Sequence, residues 1–408
     1  MKCRFCRHEL THEFIELVNS PPSNSFLSSE ELNEPEVFFP LKLFVCEKCF
    51  LVQIEEYKNS QEIFGDKYIY FSSFSKSWLD HAGRYVEMIT ARLGLNQESL
   101  VIEIASNDGY LLQYFAEKEI PCMGIEPAKA TAEEASKKGV EVITEFFGLS
   151  LAKELAMQGR RADLLVGNNV LAHVPDINDF VHGLKIVLKD TGVITIEFPH
   201  LFQLVENNQF DTIYHEHFSY FSLFTVQKIF AAHGLEVFDV EELATHGGSL
   251  RIYAIHARGQ SKGVRFKVAD VLERERVAGM LELDYYRSFQ DRANKVKHGL
   301  LSFLLEQKTA GKKVAGYGAA AKGNALLNYC GVKKDLMEFV VDASPYKQGK
   351  FLPGSHIPVV NERAIRKTKP DFVLILPWNI KEEIMHQLEY IRGWGGRFVV
   401  SVPQLTII

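Results

Sequence analysis

The chain has no apolar run approaching the roughly 20 residues of a membrane span, and its N-terminus has no apolar core of a secretion signal. Neither a membrane anchor nor export is expected, so the expectation is a cytoplasmic protein. Positive charge is not in excess: the formal net charge is -6, which argues against a nucleic-acid-binding surface. Cysteine is scarce, and six residues in a reducing compartment are not a disulfide framework. A complete GxGxxG turn is missing, which weakens any dinucleotide reading. Proline is absent between Lys267 and Glu306, where apolar and charged residues alternate with helical spacing, so one or two long connecting helices are expected there.

What remains is ordinary globular composition, 46% hydrophobic and 24% charged, in 408 residues, enough for two or three domains. Four of the cysteines fall in two knuckles, Cys3-Arg-Phe-Cys6 and Cys46-Glu-Lys-Cys49. Two CxxC pairs can close a tetrahedral Zn²⁺ site. With sulfur in all four positions such a metal staples the fold and does no chemistry. Cys122 and Cys330 read as core.

In the middle of the chain, Ser99–Ile104 reads as a buried parallel strand, followed by the turn Ala105-Ser-Asn107-Asp108-Gly109 and a helix. Strand, small-residue turn and helix open a doubly wound sheet with its ligand at the strand's carboxyl end. Glu126 ends the next strand about 20 residues on, where a carboxylate can take ribose hydroxyls. The acidic turn disfavours pyrophosphate and suits a cationic ligand without phosphates, such as S-adenosylmethionine. Phe146, past the third strand, is placed against an adenine face; Asn168 and Asn169, past the fourth, sit over the same sheet edge, and His173 faces the same mouth. Leu235–Phe238 and Ser249–Ala254 read as a closing antiparallel pair.

The stretch Asp211-Thr-Ile-Tyr214-His215-Glu216-His217-Phe-Ser-Tyr-Phe221 concentrates imidazoles, carboxylates and phenols beyond any need of a core. Near the C-terminus a second strand-turn-helix, Lys312–Asn324, carries a glycine-rich turn with Tyr317 and Lys322, suited to a phosphate, and Asp342 ends the following strand.

The knuckle pair, Glu103-Ile-Ala-Ser-Asn-Asp-Gly109, Tyr214-His-Glu-His217 and His246-Gly-Gly-Ser-Leu-Arg251 together resemble nucleotide-sugar C-methyltransferases along the whole chain. That resemblance implies an α/β architecture: a zinc-binding module (1–74), a class I Rossmann-like methyltransferase domain with linking helices (75–300), and a C-terminal Rossmann-like domain (301–408) that helps hold the nucleotide. It implies S-adenosylmethionine as methyl donor, S-adenosylhomocysteine as product, structural zinc, and a dTDP- or GDP-linked 4-keto-6-deoxyhexose methylated at C3. By the same resemblance His217 is the base, Tyr214 and Glu216 orient it or touch the sugar, and His173 donates to the C4 oxyanion. Tyr68 is the phenol supplied from the N-terminal region, with Tyr70 its neighbour. Glu103, Ala105 and Gly109 complete the cofactor turn, and His246, Arg251, Tyr317, Lys322, Asn324 and Asp342 form the substrate set. His215 is expected to pack. The motifs require no more than a monomer. The competing readings are an NAD-dependent oxidoreductase built on the C-terminal turn and a zinc-knuckle binding protein.

Overall fold

In the computed structural model, which describes residues 1–63, 71–257 and 265–408, three sheets lie along the chain. Tyr68 and Tyr70 lie outside the described residues. The first sheet holds β1 (His12–Ser20), β2 (Phe39–Val45) and β3 (Val52–Ile54), paired antiparallel. The alternating burial of β2 is what one solvated face dictates.

The second sheet begins with β4 (Val101–Ile104), β5 (Cys122–Ile125), β6 (Glu141–Ile143), β7 (Ala162–Asn168) and β8 (Leu188–Pro199), all parallel. Next comes β9 (Ser219–Tyr220), which leaves this sheet and pairs with β3. Then β10 (Leu235–Leu243) and β11 (Ser249–His256) close the second sheet, in the order β10-β11-β8-β7-β4-β5-β6 with β11 antiparallel. All four residues of β4 are buried, as a central parallel strand covered on both faces requires. The helix Lys76–Leu93 starts where the Ser75 side chain accepts the Trp78 N–H and stops at Gly94, which takes the left-handed conformation.

The third sheet contains β12 (Val314–Tyr317), β13 (Val340–Val341), β14 (Val359–Val360), β15 (Phe372–Ile375), β16 (Arg397–Val400) and β17 (Thr406–Ile407), parallel apart from β17. It is reached through helices Arg265–Val277, Asp284–Arg287 and Phe289–Thr309. Among the described residues no helix is long and apolar enough to cross a membrane.

Packing ignores the sequence order of the sheets. Leu43 and Ile54 of the first sheet share one buried core with Phe289 and Leu300 of the connecting helix and Leu374 of the third sheet, and Phe14 stacks on Phe289 with ring centroids 4.9 Å apart. Cys3, Cys46, Cys49 and Leu51 share another with Leu165 and Ile196 of the second sheet.

Candidate active site

The four knuckle thiols converge. Cys3 and Cys49 sulfurs are 3.5 Å apart, as are those of Cys6 and Cys46, and all four lie within 4.8 Å of one another. Zn–S bonds of about 2.3 Å in a tetrahedron put sulfurs roughly 3.8 Å apart, so the set fits Zn²⁺. The Gln53 amide donates to Cys3 Sγ at 3.3 Å, an outer-shell contact of the kind that fixes a thiolate.

At the carboxyl end of β4 the backbone bends sharply: Ala105, Asn107 and Gly109 have φ of 58°, 50° and 71°. Non-glycine residues rarely take this conformation, and its cost is tolerated where a turn serves a ligand. Glu126 Oε2 accepts the Asn107 N–H and Oε1 accepts that of Ala128, both at 2.9 Å. Each oxygen keeps a lone pair for a further donor. Around the turn, Ser106 Oγ, Asp108 Oδ1, Asn168 Oδ1 and Asn169 Oδ1 are buried without a hydrogen bond among the described residues, while the buried Glu103 carboxyl has Tyr110 beside it. Such orphans call for a ligand. Nearly all are acceptors, which matches a group bringing an ammonium, a sulfonium and ribose hydroxyls: S-adenosylmethionine fits. Burial drives the Glu103 carboxyl well above the usual range. Phe146 is exposed past β6, open to a ring.

Gly109 tests the turn. An added Cβ would sit 3.1 Å from Ala135 Cβ and 3.2 Å from its Cα, at a φ that L side chains avoid. Gly109→Ala is expected to lower stability by about 2 kcal/mol in urea unfolding and to weaken S-adenosylmethionine binding in calorimetry; unchanged values for both would contradict this account of the turn.

The titratable stretch lies across the mouth of the same sheet, where β8 delivers the chain. His217 Nδ1 is 3.2 Å from Thr212 O, a carbonyl that can only accept, so Nδ1 carries the proton and Nε2 is bare. The Tyr214 hydroxyl donates to that Nε2 at 2.9 Å. His173 lies edge-on to His217, centroids 4.7 Å apart, with Nδ1 2.7 Å from Glu216 O. Burial pushes His173 down to about 4 and His217 well below the usual imidazole range; for His217 the nearby His173, His246 and Lys322 add to it, against the Thr212 bond. Both rings are therefore neutral at pH 7 and present an acceptor nitrogen. The sequence reading makes His173 a donor to the C4 oxyanion; the geometry here puts its Nδ1 proton on Glu216 O. Glu216 Oε1 accepts the backbone and side-chain N–H groups of Asn24, each at 3.2 Å, while Oε2 is buried without a partner among the described residues. His215 packs as expected, bonded to Pro40 O and edge-on to Phe39.

The third sheet contributes directly. Lys322 Nζ bonds Asn379 Oδ1 at 2.6 Å and lies 4.8 Å from the centre of the Trp378 ring, and the Trp378 indole N–H donates to Asp211 Oδ2 at 2.7 Å. Burial lowers Lys322 to about 8 and raises Asp211 to about 6, each opposed by the other's charge. His246, with φ 54°, is edge-on to Trp78 at 5.1 Å and feels the Lys322 charge.

Other substrate candidates lie elsewhere. Arg251 is taken up inside the sheet, donating to Glu197 at 2.9 Å and Glu241 at 3.0 Å. Asp342 fills the glycine-rich turn itself: Oδ2 accepts the Ala319 N–H and Oδ1 that of Ser344, both at 2.8 Å. A carboxylate thus stands where a phosphate was expected, and Lys322 turns towards His217. Asn324 Nδ2 donates to Ser23 O at 2.6 Å, tying the helix Ala321–Cys330 to the N-terminal loop. Tyr317 is buried against Val373 and Ile375. Asp211 opens the stretch singled out in the sequence and Trp378 follows the strand Phe372–Ile375, but the sequence assigns neither a role, and nothing near Asn24 signals its contact.

The seven-stranded sheet with its acceptor-lined turn is the fold of a class I methyltransferase. Residues 78–240 match a methyltransferase domain family, 244–403 a "C-methyltransferase C-terminal domain" and 3–64 a "Putative zinc binding domain". C-methyltransferase NovU of Streptomyces niveus is 36% identical over 408 residues, 100% of this chain and 96% of that protein. The chain belongs to this family of C-methyltransferases and is an S-adenosylmethionine-dependent C-methyltransferase with a structural zinc module. Among solved structures, an S-adenosylmethionine-dependent methyltransferase of Clostridium acetobutylicum is similar at 12% identity over 44% of this chain and 92% of its own, TM-score 0.35. Magnesium protoporphyrin IX methyltransferase of Synechocystis reaches 16% over 48% and 88%, TM-score 0.34. Those two likenesses are too distant to support anything further.

Proposed function

We infer that the enzyme methylates C3 of a dTDP- or GDP-linked 4-keto-6-deoxyhexose in deoxysugar biosynthesis, with His217 as the base. The observation that carries this reading is the unprotonated, acceptor Nε2 of His217 beside a second neutral imidazole, with the Lys322 charge close by. Hydrogen on carbon beside a ketone is removed only when a base takes the proton while the oxygen's growing charge is held. His217 Nε2 takes the C3 proton; the Tyr214 hydroxyl, which caps that nitrogen in the resting site, moves to the substrate oxygen. The Lys322 ammonium faces the charge that develops at the C4 oxygen, a contribution worth several kcal/mol in a water-poor site. His173 Nε2 and Glu216 accept from the sugar's hydroxyl or amino hydrogens. His246 borders the same cleft. S-adenosylmethionine, held by Glu103, Asn107, Asp108, Glu126, Asn168 and Asn169, supplies an electrophilic methyl group when bound. Tyr317, Asn324 and Asp342 support the third sheet's side of the substrate, and Arg251 the loop bearing His246. The NAD alternative is disfavoured because Asp342 already engages the Ala319 N–H of the glycine-rich turn.

The pH profile follows with a definite sign. The base works when neutral, and His217 is pushed well below its ordinary value, so activity should already be on its plateau at pH 6.5 and fall only in stronger acid. Lys322 works when charged and sits at about 8, so activity should decline above that pH. A rate rising through pH 7 to 9 would contradict these roles. Stability shares the acid limb. His173 and His246, both lowered to about 4, contribute stability that is complete above an ordinary imidazole value of about 6.5 and is lost as pH falls from there towards 4.

Incubation with S-adenosylmethionine and a panel of dTDP- and GDP-linked 4-keto-6-deoxyhexoses tests the substrate. One panel member should gain a single methylene, with the new methyl at C3 by NMR. A methyl at C5, the ketone's other neighbour, would overturn the regiochemistry; no gain on any sugar would overturn the substrate class.

A further inference from the structure

One residue of the zinc module reaches both loops that carry the imidazoles. Arg4, between the first two cysteines, is almost buried at 9% exposure, although nothing in a zinc knuckle requires a buried guanidinium. Its Nη1 donates to Pro175 O at 3.0 Å and its Nη2 to Ile54 O at 2.6 Å, and its guanidinium carbon lies 4.9 Å from the centre of the Phe218 ring. Pro175 is two residues past His173, and Phe218 is the residue after His217. Ile54 ends β3, and its N–H donates to Phe218 O at 3.1 Å. One planar cation thus joins three segments, two of which carry the imidazoles.

Those segments are also laced to each other directly. The Phe218 N–H donates to Ala172 O at 2.7 Å, and His173 Nδ1–H donates to Glu216 O at 2.7 Å. The second of these fixes the tautomer and plane of His173, so a shift of the 172–175 segment would release the ring. On its other side Arg4 is built into the knuckle. Its backbone N–H donates to Gln53 Oε1 at 2.8 Å, and Gln53 Nε2 donates in turn to Cys3 Sγ. The neighbouring residues Gln53 and Val52 pair with Ser219 and Tyr220 in the sheet, directly after the catalytic stretch. Asn178, at the start of the helix that follows Pro175, donates to Arg4 O at 3.1 Å and Phe5 O at 3.0 Å, holding the knuckle against that helix. Guanidinium, with a fork of donors and a flat face, makes this combination of two carbonyl bonds and a ring contact; an ammonium does not.

We propose that Arg4 is a positioning residue for the His173–His217 pair, transmitting the geometry of the zinc knuckle to the two imidazoles. Arg4 touches neither substrate nor cofactor and acts through Pro175 and Phe218. The proposal rests on the base role of His217 argued above. It gives the metal a second consequence: loss of zinc loosens the knuckle and, through Arg4, the alignment of the bases. A displacement of about 1 Å at a reacting group costs on the order of 100-fold in rate.

The test is Arg4→Met and Arg4→Lys in the full chain, read by zinc content, S-adenosylmethionine affinity, steady-state kinetics and imidazole ¹⁵N shifts. Both variants are expected to keep about one zinc per chain and near-normal cofactor affinity, while kcat falls roughly 10- to 100-fold with a smaller change in KM. In the wild type His173 and His217 should each show a single Nδ1–H tautomer, and in the variants a mixture. The tautomer readout needs no sugar, so a wrong substrate assignment and a wrong role for Arg4 give different results. Unchanged kcat and unchanged tautomers in Arg4→Met would overturn the proposal. So would loss of zinc or cofactor binding in both variants, because Arg4 would then serve only to hold the fold.

Discussion

His217→Asn is expected to reduce methyl transfer by about 1,000-fold or more while S-adenosylmethionine still binds with near-normal affinity. Asparagine can keep a hydrogen bond to Thr212 O, so the loop retains its anchor and the loss reports on the missing acceptor nitrogen. His217 is held by Thr212 O behind and capped by the Tyr214 hydroxyl in front, a geometry that leaves one nitrogen for chemistry. The neighbouring His173 presents the same kind of nitrogen with centroids 4.7 Å away, so His173→Asn is the informative control. If His173→Asn proved the more damaging and His217→Asn kept substantial activity, the base would be reassigned.

The second large effect is that of the metal. Metal analysis should find about one Zn²⁺ per chain, and Cys46→Ser should unfold the first sheet, since for such sites metal-binding energy is folding energy. The consequence reaches further than a module stapled for its own sake. Ser219–Tyr220 is the fourth strand of that sheet and begins two residues after His217, so unfolding it frees the loop that bears His217. Activity should therefore fall with the metal, and hydrogen exchange should speed up in residues 12–54 and 214–221 together. Normal melting and normal activity in a metal-free Cys46→Ser protein would contradict this.

Much of this was legible because local chemistry repeats local need. Two CxxC pairs have few uses, a buried four-residue strand ending in an acidic turn has one common ligand geometry, and Tyr214-His-Glu-His217 is too polar to be core. The elements of the methyltransferase sheet followed from period and burial in the same way. Contacts between distant segments were not legible. Nothing in the sequence says that β9 leaves its neighbours to pair with β3, or that Asn24 closes on Glu216. Arg251 entered through the His246–Arg251 motif and Asp342 through its place at a strand end, yet Glu197, Glu241, Ala319 and Ser344 already engage them. Lys322 read as a phosphate ligand from its glycine-rich surroundings, with Trp378-Asn379 on the same side of the sheet; the packing of β12 against β15 makes those two its direct partners. The tautomer of His173 likewise depends on a carbonyl 43 residues away in sequence.

The most direct measurement of the central claim is solvent exchange at C3 of the substrate sugar in deuterated buffer, with S-adenosylhomocysteine bound so that no methyl can be transferred. The wild-type enzyme should wash deuterium into C3, and His217→Asn should not. Exchange by the variant at the wild-type rate would remove His217 from the role of base.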